Sequence, residues 1–247
     1  MQKLILHIPH SSTSIPSKRG FVIDDTTLNA ELLKLTDWYT DDLFHSIKDD
    51  AVIADFSRLF CDPERFADDS KEIMSKYGMG VLYEKLDNGE QMRVVTEQLK
   101  KIVLQDYYWK HHGRLNELTR KHLKQFGKAT IIDCHSFSNI PFQRDLDQSP
   151  NRPDFNIGTD RYHTPRQLIT LSTEYFGAAG FSLGVDWPYS GSMVPVEYHR
   201  KDKRVQSIML EVNRKLYLKG RFPEKSDRYG KIKNVTKGFI ELIRSAA

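Results

Sequence analysis

The sequence contains only two cysteines, Cys61 and Cys134, and both lie in apolar stretches. Two thiols are too few for the disulfide framework of a small secreted domain, so we expect a reducing, cytoplasmic setting. The short apolar stretch at the N-terminus has no small-residue cleavage site after it, which argues against a secretory signal. No segment approaches the ~18 consecutive apolar residues of a transmembrane helix, so the sequence predicts no membrane span.

An excess of charge of one sign is also missing. The 37 basic and 33 acidic residues are interspersed and give a formal net charge of +4, which argues against a dedicated nucleic-acid surface. With 247 residues, of which 39% are hydrophobic, the chain can bury one large core. We therefore predict a single domain over residues 1–247, and the sequence carries no signal for an oligomeric state.

Four short apolar runs predict β-strands. They are rich in Ile, Val and Leu without strict alternation, which is typical of strands buried on both faces of a mainly parallel sheet. The runs cover residues 3–8, 51–56, 129–135 and 207–212.

Helical patterns lie between these strands. They cover residues 26–48, residues 91–126 up to Gly127, a segment from the apparent capping box Thr164-Pro165-Arg166-Gln167 to about Gly180, and residues 227–245. The alternation predicts an α/β fold, a three-layer α/β/α sandwich with a mixed, mainly parallel sheet. Residues 136–163 are rich in Pro, Asn and Asp and are predicted to form a long loop over the site.

Polar side chains cluster at the predicted carboxyl ends of the strands, where open α/β sheets bind their ligands. His10 follows the first strand, His135 ends the third, and Glu211 interrupts the apolar run of the last. Two imidazoles and a carboxylate form the usual ligand set of a catalytic zinc, and a further glutamate beside it can act as general base. These residues predict a metal-dependent hydrolytic site.

Local alternatives remain for each of these residues. A lone histidine at a strand tip is more often a loop residue, and Arg214 could pair with Glu211 for purely structural reasons. The third ligand is open, because Asp37 lies on the first predicted helix while Asp62 and Glu64 are rivals. His7 is a poor partner for His10, since residues three apart on a strand point to opposite faces. The remaining histidines are predicted to be surface or loop residues, or unable to ligate jointly: His45, His111, His112, His122, His163 and His199.

A nucleophilic serine is the competing chemistry. Ser11, Ser12, Ser136 and Ser190 are near the predicted site, but no G-x-S-x-G elbow occurs in the chain. Glycine-rich phosphate-binding motifs are absent as well, so nucleotide chemistry has no support.

A series of short motifs along most of the chain resembles the N-formylglutamate amidohydrolases. The motifs are His-Ile-Pro-His-Ser-Ser at residues 7–12, Thr36-Asp37-Trp38, Ser57-Arg58 with Asp62 and Arg65, Gly78-Met79-Gly80, Asp133 with His135-Ser136, Pro153-Asp154-Phe155 with Gly158-Thr159, and Glu211-Val212-Asn213-Arg214. That family is similar in fold to zinc carboxypeptidases, aspartoacylases and zinc-dependent cell-wall amidases.

The resemblance implies a role for each site residue. His10, Asp37 and His135 would bind Zn²⁺, Glu211 would be the catalytic base, and Arg58 would stabilise the oxyanion. Arg65 and Asn213 would bind a small anionic acyl amino acid, most simply N-formylglutamate.

Two departures from the family pattern fall where substrate is expected. Glu64 stands where the family often has Asn, and Ser190-Gly191-Ser192 stands where it often has paired glycines. Two alternatives therefore stay open: a zinc amidase for another N-acyl amino acid or a cell-wall peptide, and a metal-free protein that binds an acidic small molecule.

Overall fold

A six-stranded sheet forms the centre of the computed structural model, which describes residues 2–220 and 223–246. The four predicted strands are β1 (Ile5–Ile8), β2 (Asp50–Ile53), β3 (Ala129–Phe137) and β6 (Val205–Asn213). Two more, β4 (Phe155–Gly158) and β5 (Leu183–Val185), complete the order β2-β1-β3-β6-β4-β5. Neighbouring strands are parallel except for β6 and β4, so the predicted mixed, mainly parallel sheet is confirmed.

Strand β4 lies inside the segment that the sequence predicts as a loop, and the prediction is wrong for residues 155–158. The run is only four residues long and is flanked by Pro153 and Thr159, so it lacks the length of a recognisable strand. Its antiparallel pairing with β6 makes β6 an interior strand of the sheet.

The helices surround this sheet. They are α1 (Asp25–Leu35), α2 (Thr40–Leu43), α3 (Glu97–Val103), α4 (Trp109–Phe126), α5 (Arg166–Ala178) and α6 (Tyr229–Ala246). A π-helical turn, Leu104–Tyr108, joins α3 to α4, and Gly127 ends α4 in the left-handed conformation as predicted. Within the described ranges, no helix combines the length and the hydropathy needed to cross a membrane.

The predicted helix over residues 26–48 is wrong in its middle. The chain leaves the helix at Thr36, and the backbone N–H of Asp37 donates to the carbonyl of His10 at 3.0 Å instead of bonding within a helix. Tyr39 then adopts a positive φ of 63° before α2 begins. The break therefore holds Asp37 beside the end of β1.

Two helix starts also differ from prediction. Residues 91–96 are not helical, because the hydroxyl of Thr96 caps α3 by accepting from Leu99 N. The predicted capping box at residue 164 does not form, since the Thr164 hydroxyl donates to the carbonyl of Ser207.

Alternate residues of the strands pack against different helices, which gives the three predicted layers. Leu4, Leu6 and Ile8 belong to an apolar cluster that contains residues of α2, α5 and α6. Ile5 and Ile131 point the other way and pack with Leu115 of α4.

The second of these faces changes from apolar to polar toward the carboxyl ends of the strands. Ile5 is followed two residues later by His7, and Ile131 by Asp133 and then His135. On β6 the same face reaches Glu211, which lies in register with His135. The fold thus places His7, Asp133, His135 and Glu211 on the same face of the sheet, at the carboxyl ends of the strands.

Gly158 is placed so that any side chain would clash. A Cβ at this position would lie 2.1 Å from the carbonyl oxygen of Gly191 and 2.4 Å from Met209 Cε. We expect Gly158→Ala to lower the free energy of unfolding by about 1–3 kcal/mol, as overpacking does, measured by urea denaturation. The matched control is Gly113→Ala on the exposed face of α4, where a Cβ meets nothing within 4 Å. Gly113→Ala should raise the free energy of unfolding by about 0.5–1 kcal/mol. Equal changes in this free energy for Gly158→Ala and Gly113→Ala would contradict the prediction.

Candidate metal centre and active site

His10, Asp37 and His135 come together at the carboxyl end of the sheet. All three side chains are buried, and one potential ligand atom from each lies within 4.8 Å of the others. Asp37 Oδ2 is 3.1 Å from His135 Nδ1 and 3.7 Å from His10 Nδ1. The two-histidine, one-carboxylate set predicted from the sequence is therefore assembled in space.

Each member is positioned by its own piece of backbone. His10 lies two residues beyond β1, Asp37 sits in the break between α1 and α2, and His135 lies near the end of β3. Asp37 is fixed further by the N–H of Ser136 and by Arg214 Nη2, which donate to its two oxygens at 3.2 and 2.8 Å.

Asp62, a rival ligand in the sequence, lies on the opposite side of the His10 ring. Its Oδ1 is 2.8 Å from His10 Nε2, and its Oδ2 accepts from Tyr83 Oη at 2.7 Å and from Arg58 Nη2 at 3.1 Å. A carboxylate on the far nitrogen of a ligand histidine fixes the ring orientation and its tautomer. Asp62 therefore orients His10 and leaves its Nδ1 facing the cluster.

The buried charged groups of the cluster change one another's pKa values. Burial alone would raise the pKa of Asp37, but the contacts of His10 and His135 and the charge of Arg214 lower it far below its usual range. Burial likewise opposes the charged form of Asp62, yet His10 and Arg58 hold its pKa well below the ordinary value. Both carboxylates are thus ionised at neutral pH, and Asp37 is able to ligate a cation.

Glu211 lies beside this cluster on the neighbouring strand. Burial, the largest influence, raises its pKa to about 7, with His135 opposing the shift and Asp37 adding to it. A carboxyl group with a pKa near the working pH is suited to accept and return a proton. Arg214, offered above as its structural partner, instead bonds Asp37 and Ser136.

A cavity of about 300 Å³ opens in front of these residues. Arg58 and Arg65 line it with side chains that are 18% and 24% exposed. Arg65 also lies 3.7 Å from Asp62 and 3.7 Å from Glu72, so part of its charge is balanced within the protein.

The segment between β3 and β4 forms one wall of the cavity. Phe142, Asp145, Leu146 and Asp147 line it, as the predicted covering loop requires. Arg152 holds this wall in place by donating to Asp145 Oδ2 at 2.7 Å and to the carbonyl of Asp147 at 2.9 Å.

Asn213 is not in a position to bind substrate, and its predicted role has no support. The side chain is buried, its amide nitrogen donates to the carbonyl of Pro153, and its oxygen accepts from Lys215 N. These bonds tie the end of β6 to the start of β4.

Two histidines predicted to lie at the surface are buried. His122 pairs with Asp50 at 3.0 Å, and His163 bonds the carbonyl of Val205. Both lie in the protein interior, away from the cavity.

The Ser136 hydroxyl, a candidate nucleophile, accepts a hydrogen bond from Arg214 Nε at 3.1 Å.

Free atoms at the cluster suit a metal ion. His10 Nδ1 and Glu211 Oε2 are buried and find no hydrogen-bond partner among the residues that the structure describes. A buried polar atom without a partner is costly, and an ion with nitrogen and oxygen ligands would satisfy His10 Nδ1. The donor set of two imidazoles and one carboxylate fits zinc with room for a further ligand.

The family model of the N-formylglutamate amidohydrolases matches residues 2–218. This chain belongs to that family. The N-formylglutamate deformylase of Pseudomonas putida, a curated relative, is 25% identical over 225 residues, which cover 87% of this chain and 81% of the relative.

Solved structures share the fold of this N-formylglutamate amidohydrolase family member. The N-formylglutamate amidohydrolase of Ralstonia eutropha JMP134 aligns with a TM-score of 0.84 at 21% identity, over 100% of this chain and 96% of that one. A gene product of Agrobacterium tumefaciens aligns with a TM-score of 0.68 at 16% identity, over 99% and 91% of the two chains.

Replacing Glu211 by glutamine should change how stability depends on pH. The folded protein keeps the Glu211 proton up to about pH 7, whereas an ordinary glutamate loses it near 4.5. The folded state therefore binds more protons between these values, and its stability falls as the pH rises through that window. Relative to Glu211→Gln, we expect the free energy of unfolding of the unchanged protein to fall by up to roughly 3 kcal/mol across this window.

Urea unfolding at several pH values across this window, with a chelator present throughout, measures the difference. The control is Glu90→Gln at an exposed turn, which should follow the unchanged protein. Parallel profiles for Glu211→Gln and the unchanged protein would contradict the raised pKa.

Proposed function

We propose that this protein hydrolyses the formyl amide of N-formylglutamate to formate and glutamate, with Zn²⁺ as cofactor. The observation that carries the proposal is the buried cluster of His10, Asp37 and His135 with Glu211 beside it at the floor of a cavity. Family membership and the name of the Pseudomonas putida relative favour this substrate over other N-acyl amino acids.

His10, Asp37 and His135 would hold the zinc ion. When bound there, zinc would polarise the substrate carbonyl and lower the pKa of a water molecule toward neutrality. The position of Asp62 on the far side of His10 supports this assignment, because the ring keeps Nδ1 for the cluster.

Glu211 would act as the general base. Its carboxylate takes a proton from the attacking water and passes that proton to the departing amine, and the burial that raises its pKa suits both transfers. Because β6 is an interior strand, the side chain is held in register with His135.

Two arginines would bind the charges of the substrate. Arg58, anchored by Asp62 and Tyr83, presents its guanidinium to the cavity and would stabilise the oxyanion of the transition state. Arg65 would pair with a substrate carboxylate, for which a planar guanidinium offers two parallel hydrogen bonds.

Removal of the metal should abolish activity reversibly. Treatment with a strong chelator, followed by gel filtration, should eliminate formate release from N-formylglutamate, and added Zn²⁺ should restore it. Metal content is measured by elemental analysis before and after. Full activity in a preparation with far less than one metal ion per chain would overturn the metal dependence, and so would metal-free protein that zinc does not rescue.

Glu211→Gln should separate an enzyme from a binding protein. Loss of the general base should lower kcat by about 10²–10⁴-fold. Zinc content and N-formylglutamate binding, followed by calorimetry, should be retained. Glu90→Gln is again the control and should keep full turnover. A Glu211→Gln variant with unchanged kcat would contradict the assigned base.

A further inference from the structure

A second group of potential metal ligands lies against the first. His7, Glu64 and Asp133 each offer one ligand atom, and these atoms lie within 4.8 Å of one another. His7 Nδ1 is 2.7 Å from Asp133 Oδ1 and 3.7 Å from Glu64 Oε1. His7 and Asp133 are buried, whereas the Glu64 side chain is 20% exposed and lines the cavity.

The two carboxylates of this group have no permanent cation beside them. Within residues 2–220 and 223–246, no lysine or arginine forms an ion pair with Glu64 or Asp133, and their charged contacts are with His7 and His135 alone. Asp37 and Asp62, by contrast, each have an arginine partner. Two buried or half-buried carboxylates so close together are costly unless a cation lies between them.

The ring of His135 stands between the two groups. Its Nδ1 faces Asp37, while its Nε2 lies 3.1 Å from Glu64 Oε2 and 3.2 Å from Asp133 Oδ1. Neither Nε2 contact has the alignment of a hydrogen bond, so this buried nitrogen is unpartnered in the described structure and is aimed into the second group. With Nδ1 committed to the first group, Nε2 would release its proton to water and bind an ion in the second group as a bridging imidazolate.

His7 is held as a ligand histidine is held. Its Nε2 lies 2.8 Å from Nε2 of the buried His111 on α4, which fixes the ring and directs Nδ1 to Asp133. A partner on the far nitrogen is the usual support of a metal-bound imidazole.

We propose that His7, Glu64 and Asp133 form a second site for a divalent transition-metal ion, adjacent to the first across His135. One imidazole and two carboxylates suit zinc or manganese. The ion would also neutralise Glu64, an acidic group that otherwise faces a cavity built for an anionic substrate. The site goes beyond the proposed reaction and does not depend on its substrate.

Metal stoichiometry tests this proposal. Chelator-stripped protein is titrated with Zn²⁺ alone in competition with a chromophoric chelator, and bound metal is confirmed by elemental analysis; a second series uses Mn²⁺. The unchanged protein should take up two zinc ions, and Glu64→Gln, a nearly isosteric change at the cavity wall, should take up one. His7→Asn should behave like Glu64→Gln, and circular dichroism with thermal unfolding identifies any variant that has failed to fold.

Two further variants assign the lost ion. His10→Asn should lose the first ion and keep the second, and the double variant His10→Asn/Glu64→Gln should bind none. The matched control is His122→Asn, which removes another buried, carboxylate-paired histidine away from the cavity and should still bind two.

Each other outcome overturns the second site. One zinc ion in the unchanged protein means that His7 only donates a hydrogen bond to Asp133. Two ions in Glu64→Gln place the second ion elsewhere, and one ion in the double variant means that both changes affect a single site. Uptake of no metal at all would overturn the zinc-dependent reaction as well, so the two failures are distinguishable.

Discussion

The buried carboxylate of Asp37 is the contact on which the arrangement of the site depends. Its side-chain oxygens accept hydrogen bonds from Arg214 and the N–H of Ser136 and contact the ring of His135. Its backbone N–H donates to the carbonyl of His10. One residue thus joins the end of β1, the end of β3 and the chain after β6. Because these bonds need Asp37 outside a helix, the break between α1 and α2 is a requirement of the site.

A chain of charge compensation surrounds this residue. Asp37 is balanced by Arg214, and Asp62 is balanced by Arg58 and contacts His10. Since desolvation opposes every one of these charges, their arrangement is stable only when each carboxylate has a cation or a donor close by. Among the residues that the structure describes, Glu211 Oε2 has no such partner, and burial raises the pKa of this carboxyl group. Burial thus makes the paired carboxylates depend on their partners and raises the pKa of the unpaired carboxyl to about 7.

Sequence patterns predict the parts of this site that a strand places directly. His10, His135 and Glu211 follow or interrupt apolar runs, so their position at the carboxyl edge of a sheet follows from the strand assignment alone. Asp37 could be chosen over Asp62 and Glu64 only by family resemblance, because nothing in the local pattern marks the point where the helix breaks. The resemblance assigns Asn213 to substrate, but the pairing of β6 with β4, a strand too short to be recognised in the sequence, brings its amide to the carbonyl of Pro153. The partners of His7 and the orienting contact of Asp62 join segments more than fifty residues apart, which periodicity cannot reveal.

The wall and the floor of the cavity come from different kinds of structure. Most of the floor is made by residues on or directly after strands, with Asp37 added from the break between α1 and α2. One wall is the segment between β3 and β4, which the Arg152–Asp145 pair ties together. A connecting segment of this kind can change in length and composition, through evolution or by engineering, without moving the strand residues beneath it. A segment that carries both members of the Arg152–Asp145 pair would be exchanged as one unit, so the lining of the cavity can change while the strand residues at its floor stay in place.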